Sequence, residues 1–168
     1  MHPTVVIETS LGKITVRLDA AHAPGTVRNF LNHANSGHYD QTIFHYAQPD
    51  GFILGGGFTP ELKEKAPCDP IRNEAHNGLK NTCGTIAMSR DDELIDSARC
   101  QFFINLADHP ELDHRQPSAA EYGYCVFGRV VAGLDVAERI AAVPTHDRGE
   151  FSSTPVAPVV IHTVRLLP

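Results

Sequence analysis

Period two governs this chain: short runs of alternating apolar and polar residues recur from one end to the other, most of them bounded by glycine. Successive side chains of a strand point to opposite faces, so such runs fold as half-buried strands rather than helices. Residues 4–9 and 14–18 alternate on either side of Leu11-Gly12-Lys13, which reads as a hairpin. Short strands are predicted over 42–46, 51–54, 85–88, 101–106 and 125–130, with a closing strand over 158–167. Helical spacing occurs twice. Pro24 opens a pattern of Val27, Phe30, Leu31 and Ala34 that stops at Gly37, predicting a helix over 24–36, and a second follows Gly133 over 134–142. Many short strands, two helices and a terminal strand predict a mainly β domain over residues 1–168, a closed antiparallel barrel capped by helices.

The run Gln101-Phe102-Phe103-Ile104-Asn105 carries the first functional hint. If Phe102 enters the core, Gln101 and Phe103 share the opposite face, two residues apart. A polar amide beside an aromatic on an open face is how a shallow groove holds an extended peptide. Two long irregular segments, 59–81 and 108–123, supply loops of the kind that carry binding groups on a rigid barrel. Asn73, Asn77 and Asn81 are expected to order the first of them by side-chain to backbone bonds.

Composition excludes several classes. The net charge is −6 with scattered Lys and Arg, which argues against nucleic acid as the main partner. No apolar run approaches the ~18 residues of a membrane span, and the first residues enter strand alternation without a signal-peptide pattern, so a cytoplasmic protein is expected. Cys68, Cys83, Cys100 and Cys125 never form a CxxC pair, so they are read as reduced, mostly buried thiols and not as disulfides or zinc ligands. His33, His38, His109 and His114 sit in polar, turn-like surroundings and are expected at the solvated surface. Gly55-Gly56-Gly57 lacks the Gly-Lys-Ser/Thr ending of a phosphate loop.

Thr42-Ile43-Phe44-His45, followed by Gly51-Phe52 and Gly55-Gly56-Gly57-Phe58, resembles the signature region of the cyclophilins. IRNEAHNGLKNTCGTIAMSR (71–90) resembles the bacterial cytosolic branch, and CQFFINLADHPELD (100–113) and GYCVFGRVVAGLDVAERI (123–140) resemble further blocks in the same order. The resemblance implies an eight-stranded barrel with two helices and a peptidyl-prolyl cis-trans isomerase, which needs no metal or organic cofactor. It implies proline-containing peptides and unfolded or partly folded proteins as partners, and a monomer. It assigns Phe52, Ile53, Phe103 and Leu112 to an apolar cup for the proline ring, with Leu54 as a further candidate for it. It assigns Gln101 to the substrate backbone with the main chain around Ser89 and Arg90, and His45 and Tyr124 to the groove edge.

The departures bear on catalysis. The family's arginine after the Phe-His pair, its main catalytic donor, is replaced by Tyr46. The family's glutamine before the glycine run is missing, with Leu54 nearest to it, and the 50–54 register is shifted. Glu111 stands where relatives carry an aromatic associated with cyclosporin sensitivity, so weak cyclosporin binding is expected. A phenol hydroxyl is a shorter, uncharged donor. The resemblance therefore implies either an isomerase of reduced turnover or a proline-peptide-binding module or chaperone on the same fold.

Overall fold

The computed structural model describes residues 2–168. Its strands are β1 (Thr4–Thr9), β2 (Gly12–Leu18), β3 (Thr42–Ala47), β4 (Phe52–Gly55), β5 (Thr85–Met88), β6 (Phe102–Asn105), β7 (Val126–Ala132), β8 (Thr145–Arg148), β9 (Phe151–Pro155) and β10 (Val160–Leu166); its helices are α1 (Pro24–Asn35) and α2 (Leu134–Ala141). Eight strands close an antiparallel barrel in the order β1-β10-β3-β4-β6-β5-β7-β2. Alternation sets what enters it: Val5, Ile7, Ile14, Val16 and Leu18 are fully buried, while their strand neighbours face out. Phe30 of α1 closes the barrel against the rings of Tyr39, Phe102 and Phe127, at 5.1, 5.5 and 5.2 Å, and α2 buries Val136, Ala137 and Ile140. No helix among the described residues is long and apolar enough to cross a membrane.

Helix α1 lacks a capping side chain of its own at Ala23. The Glu74 carboxylate, from the long 59–81 segment, supplies one instead. It accepts from the main-chain N–H of Thr26 (2.7 Å) and Gly25 (3.3 Å) and from the Thr26 hydroxyl (2.6 Å). A carboxylate at a helix N-terminus satisfies donors the helix cannot and complements the dipole. Asn73 and Asn77 order the same segment locally, accepting from the N–H two residues on, whereas Asn81 ties it to a distant one by donating to the Leu112 and Tyr124 carbonyls.

Sequence reading departs from the structure at a hairpin, at the histidines and in part at the cysteines, besides Ile53 of the groove. The hairpin β8–β9 was not expected, because THDRGEFSSTP is polar throughout and β8 is exposed at every position. The histidines assigned to the solvated surface are largely tied down. His33 is buried in α1, donating to the Asn29 carbonyl (2.9 Å), and His38, His109 and His114 donate to the carbonyls of Gly56, Gly51 and Tyr122. Of the four free cysteines, Cys100 and Cys125 are buried, Cys83 is half-buried and Cys68 is exposed.

The unexpected hairpin packs β9 over His45. The His45 carbonyl accepts from the Thr154 hydroxyl (2.8 Å), and its ring meets Phe58 and Phe151 edge-on at 4.8 and 6.0 Å. His45 occupies a bulge in β3, between the pairs Phe44–Gly55 and Tyr46–Leu54, which turns it off the neighbouring face. It is 8% exposed, and its Nδ1 is buried without a partner among the described residues. Burial holds the imidazole down at about 4, from an ordinary value of 6.5.

Two predictions follow from these contacts. Removing the borrowed cap in Glu74→Ala lowers stability by about 1–2 kcal/mol, read by urea unfolding; an unchanged midpoint would show that water replaces it. Between pH 6.5 and about 4 the unfolded chain binds the His45 proton and the folded one does not. Stability therefore falls as pH drops through that window, by about 3 kcal/mol at most from this group. The His45→Phe variant loses that component, and equal pH slopes for both proteins would remove His45 as its source.

Candidate active site

Five adjacent strands bring one side chain each to a single row on the outside of the barrel. Tyr46 on β3 pairs with Leu54 on β4, Leu54 with Phe103 on β6, Phe103 with Ala87 on β5, and Ala87 with Val126 on β7. Phe102 and Ile104, the neighbours of Phe103, point into the barrel. Ala87, Phe103 and Val126 are buried in a second apolar cluster, separate from the core, beneath Phe52, Leu54, Leu79, Leu112 and Tyr124. Rings follow one another along it: Tyr46 to Phe52 at 5.2 Å, Phe52 to Phe103 at 5.0 Å, Phe103 to Tyr124 at 5.8 Å. The result is a shallow apolar floor on a rigid sheet, the kind of surface that accepts a flat apolar ring.

Gln101 stands at the edge of this floor. A Cβ at Gly57 would lie 2.6 Å from Gln101 Cγ and 2.7 Å from its Nε2, so the glycine makes the space this side chain fills. The Gln101 carbonyl is held by the Ser89 N–H (2.9 Å). Its half-exposed amide makes no side-chain hydrogen bond among the described residues, which leaves donor and acceptor free for an extended chain.

The other residues singled out from sequence divide clearly. Phe52, Leu54, Leu112 and Tyr124 reach the floor. Ile53 does not: it is fully buried in the barrel core, because Phe52 and Leu54 take the outer positions of β4 and alternation sends Ile53 inward. Ser89 is half-buried beside Gln101. Arg90 is committed to holding loops. It donates to the carbonyls of Gly123 (3.0 Å) and Ala119 (2.7 Å) and lies over the Tyr124 ring, 4.9 Å from its centre. The Tyr124 hydroxyl donates to Asp92, and burial together with that carboxylate pushes the phenol up to about 12. Tyr46 lies on the rim, stacked on Phe52, with its hydroxyl donating to Gln48 Oε1.

His45 sits behind the rim, lining a side cleft with Leu54, Phe58, Gln101 and Phe151. It is neutral there for the reason given above.

Sequence reasoning missed Ala87, Val126 and Leu79 as groove residues. The first two could have been found by carrying the outward parity of Phe103 across the neighbouring strands; Leu79 lies in a loop and has no such signal. It also missed His109, whose Nε2 donates to the Gly51 carbonyl (3.0 Å) and whose ring meets Phe52 at 6.1 Å, fixing the start of β4.

Residues 4–166 match the family model of the cyclophilin type peptidyl-prolyl cis-trans isomerases. The chain is 46% identical over 164 residues to peptidyl-prolyl cis-trans isomerase cyp18 of Streptomyces antibioticus, covering 98% of each. It is 45% identical over 163 residues to peptidyl-prolyl cis-trans isomerase A of Dickeya dadantii, covering 97% of this chain and 84% of the relative. It is 44% identical over 160 residues to isomerase B of Escherichia coli, covering 95% and 97%. The fold is shared with a Cryptosporidium parvum cyclophilin solved in the presence of the dipeptide Ala-Pro, with a TM-score of 0.83 at 24% identity, covering 98% of this chain and 99% of that one. With the family model spanning nearly every residue and three bacterial isomerases 44–46% identical over at least 95% of the chain, this chain belongs to the cyclophilin-type peptidyl-prolyl cis-trans isomerases.

Proposed function

We propose that the groove binds Xaa-Pro segments of peptides and of unfolded or partly folded proteins and isomerises them. The observation that carries this reading is the free Gln101 amide beside the Phe103 floor. The uncatalysed barrier is roughly 18–20 kcal/mol, because rotation breaks amide resonance. The proline ring packs on Phe52, Phe103 and Leu112, with Leu54 and Tyr124 at the sides. Gln101 holds the chain on one side of the bond, with the Ser89 and Arg90 main chain alongside, and the other side swings. Fixing one end turns a free rotation into a positioned one. Arg90 serves by bracing the Tyr124 wall rather than by touching the substrate.

A donor to the prolyl nitrogen of the twisted amide lowers the barrier only in the transition state, which is where it raises turnover. Tyr46 stands at the position of the family's arginine, and its hydroxyl is already given to Gln48. Reaching the substrate means leaving that acceptor, so turnover is reduced. The loss of one such donor costs roughly 3–4 kcal/mol in other enzymes. The same contact favours the second reading, a proline-binding module without turnover. At the far rim Glu111 is exposed and paired with His109 Nδ1 (3.1 Å), which puts a carboxylate where an aromatic would hold cyclosporin, and binding of that ligand is weak. Four unpaired thiols suit a reducing compartment such as the cytosol, and a monomer suffices because one chain builds the groove.

Exchange of an Ala-Pro-Phe peptide, followed by NMR with catalytic protein, decides between the readings. We expect exchange above the spontaneous rate, raised a further ~100- to 1,000-fold in Tyr46→Arg if the arginine restores the whole donor contribution; binding without acceleration by the native protein would select the binding module. Gly57→Ala pushes the Gln101 amide from its place while meeting only the flexible part of that side chain. Peptide affinity then falls about 5- to 20-fold with little change in unfolding midpoint, and undiminished affinity would remove Gln101 as the anchor.

A further inference from the structure

A cleft of about 500 Å³ lies beside the proline groove, on the outer face of β2, β5 and β7. The two share a wall. Leu79 and Val126 line the cleft and also pack in the apolar cluster around Phe103. Thr85, which lines the cleft, lies two residues from Ala87 on β5 and therefore shares its outer face.

The cleft gathers cations. Arg17 and Arg129 are direct partners across the β2–β7 pair, both exposed, and Lys80 joins them from the loop beside Leu79. Like charges directly opposite on a sheet repel. None of the three has a carboxylate within ion-pair distance among the described residues, where every ion pair involves other cations. Asp19, the acid on the cleft wall, is taken by His22, through its ring Nδ1 (3.0 Å) and main-chain N–H (3.1 Å). Arg129 is pre-positioned by donating to the Cys83 carbonyl (3.3 Å) and the Thr82 hydroxyl (3.1 Å), whereas Arg17 and Lys80 make no side-chain hydrogen bond among the described residues. In a chain of net charge −6, this is a local reversal of sign beside the groove. Exposed Val131 (55%) adds an apolar edge.

We propose that this cleft is a second docking site, for an acidic stretch of the same polypeptide whose proline occupies the groove. The inference rests on the groove reading. From Phe103 to Arg129 is two strand spacings across and two residues along, about 12 Å, or three to five residues of extended chain. Carboxylates at that distance from the proline meet Arg17, Lys80 and Arg129 together, and their charge relieves the Arg17–Arg129 repulsion.

The test compares peptides carrying Ala-Pro-Phe with three consecutive Glu, or three Gln, starting three residues before or after the proline. Binding is measured by NMR titration at low and high salt. One Glu peptide is expected to bind about 5- to 20-fold more tightly than its Gln counterpart at low salt, with the gain erased at high salt. The gain is also expected to fall to about 2-fold or less in the Arg17→Gln/Lys80→Gln double variant, in which Arg129 is the one cation of the three that remains. Equal affinity of Glu and Gln peptides on both sides, or an undiminished gain in the double variant, overturns the proposal. Tight binding of inorganic phosphate at the cleft with no Glu-over-Gln preference would do the same and assign the site to a free anion. Failure of the Gln peptides to bind at all would count against the groove itself, and is read separately from the Glu-minus-Gln difference.

Discussion

The seating of β6 against the glycine run is the contact on which both the barrel and the groove depend. A Cβ at Gly55 would come within 2.6 Å of the Ile43 carbonyl, one at Gly56 within 2.9 Å of the Phe102 and Tyr39 rings, and one at Gly57 within 2.6 Å of Gln101. Three side-chain-free residues in a row let β3, β6 and the Tyr39 segment close on one another. Gly56, at φ +92, also turns the chain in a way that side chains rarely permit. Once β6 is seated, its alternation does the rest: Phe102 and Ile104 fill the barrel, and Phe103 must face out between Leu54 and Ala87. A slip of one residue would exchange the faces, emptying the core and burying Gln101. Fold and site are thus one commitment of register, and no residue of the floor can be placed without it.

That link explains which parts were legible in the sequence. Elements with a strong period could be read: both helices, the first hairpin and most barrel strands lie within a residue or two of their expected bounds, because an apolar stripe or alternation reports burial directly. Phe103 and Gln101 could be placed together from parity alone. What could not be read depended on contacts between distant segments. The choice among Phe52, Ile53 and Leu54 turned on the pairing of β4 with β6, which sets Leu54 opposite Phe103 and Ile53 opposite Ile104 and is invisible in a local pattern. The hairpin β8–β9 has almost no apolar residues to report it, since it is held by Thr154 and by the ring of Phe151 against His45 and Phe58. Arg90 offered a charge next to the groove, and only the three-dimensional course of 119–123 shows that its donors are already used.

The polar groups around the floor have been sorted into committed and free ones. Tyr46, Tyr124, Arg90 and His109 each spend their hydrogen-bonding capacity on a neighbour, which stiffens the walls. The Gln101 amide makes no such bond among the described residues. A site with rigid apolar walls and one uncommitted amide discriminates by shape and by a single backbone contact. Tyr46 adds to the same balance by packing against Phe52.

Distance between groups then determines what added affinity can do for rate. Isomerisation requires that one side of the Xaa-Pro bond stay fixed while the other turns through about half a circle, so every contact must be assigned to a side. Contacts confined to the fixed side are equal in the cis, twisted and trans states and change occupancy without changing the barrier. Contacts that span the rotating bond oppose the turn unless the connecting chain is slack. The cleft beside Leu79 is about three to five extended residues from Phe103, long enough for a flexible connection and short enough to keep its ends together. Carboxylates held by Arg17, Lys80 and Arg129 would raise the local concentration of proline at the floor through the connecting chain. They would leave the twist to Gln101, Phe103 and whichever donor Tyr46 can release. Under the proposed reading, in which Tyr46 is the weaker donor, such a groove gains most from substrates that it holds by something other than the proline.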